Sequence, residues 1–324
     1  MTLKVDCLIV GGGPAGLTAA TYLGRFRRNV LLVDGGASRA SWIPMTHNVL
    51  GFSRGIRGPN LLNVLREQAD QYGARRISGQ IDSLQRQADG SLVGLWQEGQ
   101  VSAAKVLIAT GGLDVEPQIK DVEKLVEAGI IRHCPICDAY EATGKRIALV
   151  AYGKCRTKEA LLLRGYTSDL TVLTLGNAAE ISPHDRAILE AAGIRVILHP
   201  MERLTRERDK IAAWSSKEPN PLYFDAIYSA LGMHLRSELA VSAGAEIDDE
   251  GAVLTDRHQQ TTVPGLYAAG DVDVVHGLSQ VSVAAGQAAI ASTAINGGLP
   301  ALRYESTNQG AWTAETFVPH GKGA

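Results

Sequence analysis

Asp6-Cys-Leu-Ile-Val-Gly11-Gly-Gly-Pro-Ala-Gly16 runs a short apolar stretch straight into a glycine cluster. Leu17, Ala20, Leu23 and Gly24 then recur at helical spacing, and a second apolar run, Val30 to Val33, closes in Asp34. Strand, glycine turn, helix, strand and acid form the full context in which G-x-G-x-x-G reads as a dinucleotide-binding unit. Gly11 permits the tight turn, Gly13 lets backbone approach a pyrophosphate, and Gly16 lets helix and strand pack closely. The helix start then turns its unpaired N–H groups toward phosphate. Asp34, 18 residues beyond Gly16, is placed to accept from a ribose hydroxyl.

The same grammar returns 140 residues later in a decayed copy. Ile147 to Val150 reads as a strand, Glu159 to Leu163 as part of a helix, and Leu170 to Leu175 as the next strand. Laying Gly11, Gly13 and Gly16 on this unit gives Ala151, Gly153 and Arg156, so side chains fill two of the three glycine positions. No acid closes the second strand, and Leu170 to Asp185 offers no Arg or Lys for a 2′-phosphate. Two Rossmann-like units are expected, only the first with an intact fingerprint.

The whole chain agrees with that class. It has 324 residues, 45% hydrophobic and 20% charged, which excludes a disordered or small disulfide-stapled protein. Glycine is the outlier, at 35 residues, gathered in clusters as backbone–ligand contacts require. A formal charge of −2 leaves no footprint for nucleic acid. The N-terminal stretch is far short of a signal peptide, and Val281 to Ile295, carrying Gln287, reads as a packed helix rather than a membrane span. A cytoplasmic protein without a transmembrane segment is expected.

Outside the two units, Leu61, Leu65, Ala69 and Tyr72 make a helical stripe, and Ser182-Pro183 with Asp185 and Gly193 brackets another helix. Gly111-Gly112 to Pro117 reads as a crossing between domains. Val263 to Asp271 and a helix from about Ser279 to Asn296, stopped by Gly297-Gly298, return the chain to the first domain. The first domain is therefore discontinuous, residues 1–114 and 247–324, with 115–246 as the second.

His133-Cys134-Pro-Ile-Cys137-Asp138 is the chemical centre. Two cysteines two residues apart can cycle between dithiol and disulfide, and a helix beginning there would favour thiolate. Two blander readings compete. Structural zinc would need a second ligand pair, whereas Cys7 lies in the first strand and Cys155 alone in the decayed turn. Inert packing has no use for the turn-forming Pro135 or the proton-handling Asp138. No metal is expected.

Taken together, Gly11 to Gly16, Asn48-Val-Leu-Gly-Phe52 with Gly55-Ile56 and Gly58-Pro59, Ala109-Thr-Gly111, Cys134 to Asp138, and Gly265 to Asp271 followed by Gln280 and Ala285-Gly286 resemble the thioredoxin-reductase-like FAD disulfide oxidoreductases. The resemblance implies an α/β fold of two three-layer nucleotide-binding domains and a homodimer. It implies that Gly11, Gly13, Pro14, Ala15 and Gly16 hold the FAD pyrophosphate, with Asp34 near the adenosine ribose and Asp271, after Gly270, on the ribityl chain. Gln280 with Val281 would open a helix aimed at the flavin, and Asn48, Thr110 and Gly111 would complete the site. Cys137 would face the flavin, Cys134 would exchange with a dithiol or disulfide partner, and Asp138 would move the proton.

Where nicotinamide-dependent members carry a glycine turn, this chain has Ala151, Tyr152, Lys154 and Arg156, and Leu175-Gly-Asn177 lies in the region of their basic cluster. The chain thus looks most like the diflavin-linked subgroup, in which a second FAD replaces NADPH. Tyr152, Lys154 and Arg156 would contact that second flavin, and Tyr304, Trp312 and Phe317 would cover it, unless the tail from Arg303 frays or packs at an interface. Trp42 and His47 are placed equally well for the flavin or for the surface. The expected function is an FAD-dependent disulfide oxidoreductase that does not use NADPH, carrying electrons from a dithiol partner to a second FAD or another acceptor. Three alternatives stay open: an NADPH-dependent thioredoxin reductase, a single-FAD dithiol oxidase, and a non-enzymatic flavin-binding redox sensor.

Overall fold

A computed structural model describes residues 3–97, 99–152, 156–175, 180–273 and 278–302. The opening pattern folds as β1 (Leu3–Val10), α1 (Pro14–Arg25) and β2 (Val30–Asp34). Then come α2 (Gly58–Gln71), β3 (Arg75–Ser78), β4 (Ser83–Arg86), β5 (Leu92–Trp96) and β6 (Gly99–Ile108). These strands lie in the order β3-β2-β1-β6-β5-β4.

The chain crosses at β7 (Gly112–Asp114) into α3 (Val122–Glu127), β8 (Ile131–Arg132) and the single turn α4 (Pro135–Asp138). Next follow β9 (Ile147–Ala151), α5 (Thr157–Arg164), β10 (Leu170–Thr174), α6 (Pro183–Ala191) and β11 (Arg195–Val196). An antiparallel sheet of β12 (Arg203–Glu207), β13 (Lys210–Trp214) and β14 (Leu222–Phe224) precedes β15 (Ala226–Ser229), which completes a parallel sheet ordered β11-β10-β9-β15-β8. β16 (Met233–Leu235) returns antiparallel to β7, with Leu235 opposite Gly112, so the two crossings run side by side. After α7 (Glu238–Ser242), β17 (Leu266–Ala268) joins the end of β6 and α8 (Val281–Gly297) closes the described chain.

Alternation along β1 builds two cores at once. Cys7 and Ile9 pack with Leu17, Leu23 and Ala288 on the α1/α8 side. Leu8 and Val10 pack with Leu84, Val106 and Leu266 on the other. Because both faces are covered there, the strand is apolar from Cys7 to Val10, as buried parallel strands are. The second unit repeats this: Ile147 and Leu149 meet Ala160, Leu163 and Leu189 of α5 and α6, while Ala148 and Val150 meet Leu204, Ile211 and Phe224 of the antiparallel sheet. The expected α/β fold with two Rossmann-like sheets is what forms.

Ala240 and Ala245 already belong to the first unit's core, so the chain has rejoined it ahead of residue 247. Helix α8 starts at Val281, and its C-cap Gly298 has φ −89°, so the Gly297-Gly298 stop is not a left-handed cap. No helix among the described residues is long and apolar enough to cross a membrane.

Candidate active site

A cleft of about 680 Å³ opens beyond the carboxyl ends of β1 and β2, where open α/β sheets hold ligands. Gly11, Gly13, Pro14, Ala15, Asp34, Asn48, Thr110, Gly111, Gly270, Asp271, Gln280 and Val281 line it, together with Cys134, Cys137 and Asp138. Trp42 lines it too. Gly16 does not; its place is structural, since a Cβ there would sit 1.9 Å from the Gly11 carbonyl oxygen. Gly11, at φ +115°, would put a Cβ 2.2 Å from the Ala109 carbonyl oxygen. At Gly13 the nearest atom is Ser38 Oγ at 3.3 Å, so this glycine borders open cleft. Gly13 caps α1 without a side chain, leaving first-turn N–H groups for a ligand. This bare backbone cradle beside an acid fits the pyrophosphate and ribose of a dinucleotide such as FAD.

Two further pieces of the cradle escape sequence reading. A Cβ at Gly12 would meet Asp34 Oδ2 at 2.1 Å, so the middle glycine makes room for the acid's own carboxylate, whose Oδ1 accepts from Gly36 N at 2.9 Å. Arg39 ties the cleft walls together: Nη2 donates to Asp114 Oδ1 at 2.9 Å and Nη1 to Asp271 Oδ2 at 3.3 Å. Burial pushes the Asp271 carboxyl above the usual range, and Arg39 opposes that rise. Behind Asp271, Gly270 N donates to Gln287 Oε1 at 2.9 Å. Asp273, almost wholly buried, accepts from Thr255 Oγ1 at 3.0 Å, yet its Oδ1 has no partner. Burial pushes the Asp273 carboxyl up to about 7.

Cys134 and Cys137 form a disulfide with Cα atoms 5.3 Å apart. Cys134 is the N-cap of α4, and its sulfur accepts from Cys137 N at 3.2 Å. Asp138 ends the same turn, where Tyr228 Oη donates to its Oδ1 at 2.8 Å and Arg132 Nη1 lies 2.9 Å from its Oδ2. Burial pushes the Asp138 carboxyl above the usual range, and Arg132 and Tyr228 oppose that rise. Tyr228 is 1% exposed, and burial beside Asp138 pushes its phenol upward. Neither Arg132 nor Tyr228 is marked by motif spacing; β8 and β15, adjacent parallel strands, bring them to Asp138. Burial likewise pushes the Cys7 thiol up and leaves it unreactive in β1.

The residues expected at a second flavin belong to the turn of the second unit. Tyr152 and Arg156 are exposed beyond β9 and do not line the cleft. Arg156 is the N-cap of α5, so measured from the helix start it takes the place of Gly13 rather than that of Gly16, because this turn is longer. Lys154, Cys155 and the tail with Tyr304, Trp312 and Phe317 lie outside the described residues. His47 Nδ1 lies 3.0 Å from Glu141 Oε1, linking the loop before α2 to the segment after the disulfide.

A dinucleotide cradle opening onto a redox disulfide defines a flavin disulfide oxidoreductase of the thioredoxin-reductase kind. The chain belongs to the pyridine nucleotide-disulphide oxidoreductase family, whose model matches residues 5–288, and FAD is the cofactor expected of it. It is 29% identical over 303 residues to a thioredoxin reductase of Mycolicibacterium smegmatis, covering 89% of this chain and 94% of that one. It is 26% identical over 281 residues to a thioredoxin reductase of Borreliella burgdorferi, covering 82% and 84%. Among solved structures it resembles HlmI, with TM-score 0.83 at 29% identity over 92% and 93% of the two chains. The fold also matches thioredoxin reductase from Streptococcus pyogenes, with TM-score 0.82 at 24% identity over 91% and 98%.

Proposed function

We propose that this enzyme exchanges electrons between a dithiol partner and flavin through Cys134 and Cys137 without using NADPH. The observation that carries this is the turn after β9, where Tyr152 and Arg156 stand between strand and helix in place of the bare glycines that follow β1. FAD, when bound, supplies a two-electron centre. The chain's own residues do the rest: Gly11 to Ala15 leave room for the pyrophosphate, Asp34 takes the ribose, Cys134 meets the partner, Cys137 faces the flavin, and Asp138 holds or moves the thiol proton. Electrons run from the partner to a second FAD or another acceptor, a direction set by relative potentials. We place the enzyme in the cytoplasm as a homodimer.

A second reading, an NADPH-dependent thioredoxin reductase, is favoured by the relatives: both bacterial proteins above carry that name and cover more than four-fifths of this chain. They weigh for it more heavily than for the first reading. Under it, Arg156 at the start of α5 would meet the nucleotide's phosphates. Counting flavin in the freshly purified, gently denatured protein separates these readings: the diflavin form releases two FAD per chain. A single FAD per chain together with rapid bleaching by NADPH would establish the second.

A further inference from the structure

Resting on the disulfide-exchange reading above, we propose that the Gln280 carboxamide is a catalytic hydrogen-bond donor to the thiolates formed when the Cys134–Cys137 bond opens. Thr46 and Asn48 are its positioning residues. Gln280 Nε2 stands 3.2 Å from Cys134 Sγ and 3.3 Å from Cys137 Sγ. Its Oε1 accepts from Asn48 Nδ2 at 2.9 Å, and Asn48 Oδ1 accepts from Thr46 Oγ1 at 2.8 Å. Thr46 is 3% exposed and pinned by paired backbone bonds to Ile56 of 3.0 and 2.9 Å. A fixed hydroxyl donating to Oδ1 turns the Asn48 amide nitrogen toward Gln280. That engages Oε1, which also lies 3.6 Å from Cys137 Sγ, and leaves the two hydrogens of Nε2 for the two sulfurs.

The neighbouring titratable side chains lie against one another. Arg132 binds Asp138, His133 Nε2 lies 2.8 Å from Glu116 Oε1, and His47 lies against Glu141. Among the described residues, Gln280 is the side chain that donates to either sulfur. A disulfide sulfur is a weak acceptor and a thiolate a strong one, so these N–H groups gain strength on reduction. In the exchange, a partner thiolate attacks Cys134 Sγ, forming a mixed disulfide. The Cys134–Cys137 bond breaks with its electron pair on Cys137 Sγ. The partner's second thiolate then attacks the partner sulfur of the mixed disulfide and expels Cys134 as thiolate. The partner's two thiol protons go to solvent as its thiolates form; the partner then loses two electrons and becomes a disulfide, and the pair gains those two electrons as thiolates. Each departing thiolate meets an amide hydrogen of Gln280.

The test uses the holoenzyme, reduced anaerobically with dithiothreitol and alkylated with iodoacetamide across pH, with peptide mapping to read Cys134 and Cys137 separately. Gln280→Leu is expected to lower the thiolate fraction at neutral pH about tenfold. It should also shift the pair's equilibrium with dithiothreitol toward disulfide about tenfold, or about 30 mV for two electrons. Gln280→Glu, equal in shape but charged, should shift both further, and Asn48→Ala about threefold. If Gln280→Leu does not fold, Gln280→Glu and Asn48→Ala carry the test. Profiles of the folded variants within about twofold of wild type would overturn the role of Gln280 while leaving disulfide exchange standing. A wild-type pair that does not exchange with dithiothreitol would sink both.

Discussion

The two strand–turn–helix units differ most where they would meet a ligand. Between the end of β1 and the start of α1 lie three residues, all glycine; between β9 and α5 lie five, with Tyr152 and Arg156 among them. Both strands are buried on both faces by the same alternation, so neither core required the change. The grip on a dinucleotide depends on missing side chains: Gly11 and Gly16 let backbone pass backbone, and Gly13 keeps the cleft clear. In the reading proposed above, the fold keeps its second sheet while giving up the nucleotide contact that such a sheet usually carries.

The largest effect should come from the disulfide that the second unit presents to the cleft of the first. Cys137→Ser is expected to reduce dithiol-driven flavin bleaching to background while leaving FAD bound, as read by anaerobic stopped-flow absorbance; bleaching at the wild-type rate would remove the pair from the electron path. Next come two glycines of the first turn with opposite jobs. Gly16→Ala should destabilise the fold by about 1–3 kcal/mol and release flavin, because its Cβ meets backbone. Gly13→Ala should change stability by less than about 0.5 kcal/mol yet also weaken flavin retention. Equal losses of stability in urea melts would erase the distinction between packing and ligand glycines.

Asp273 supplies a smaller, pH-dependent effect behind the cleft. Its folded carboxyl, at about 7, lies above the unfolded value of about 3.9, so the folded state binds the extra proton. Its contribution is present below the unfolded value and is lost as pH rises toward 7. Asp273→Asn should abolish that slope and be more stable than wild type by about 1–3 kcal/mol at pH 8, in urea unfolding at pH 5 and 8. Identical slopes would place the proton elsewhere. Smallest of all, Arg156→Gly should leave NADPH-driven bleaching within about threefold of the parent, since one glycine neither shortens the turn nor supplies a 2′-phosphate clamp. Recovery of rapid bleaching would mean that this one side chain is the whole difference.

Most of the scaffold was legible because it is periodic: β1, α1, β2, the Ser182 cap of α6 and the crossing at Gly112 follow from spacing and turn chemistry alone. The cleft glycines, Asp34 and the Cys134–Cys137 pair were legible as local motifs. What escaped is non-local. Arg39 reaches Asp114 and Asp271 across the cleft, Tyr228 and Arg132 meet Asp138 through strand order, and Gln280 touches the sulfurs from a distant helix start. The one-to-one alignment of the two turns also misplaced Arg156, because a longer loop shifts the helix start without altering the strand.

Anaerobic titration of the purified holoenzyme with NADPH and, separately, with a dithiol is the most direct test of the contrast between the two turns. Bleaching of the flavin by the dithiol, with NADPH inert at micromolar concentration, is the expected result. Stoichiometric bleaching by micromolar NADPH, with dithiols inert, would contradict it.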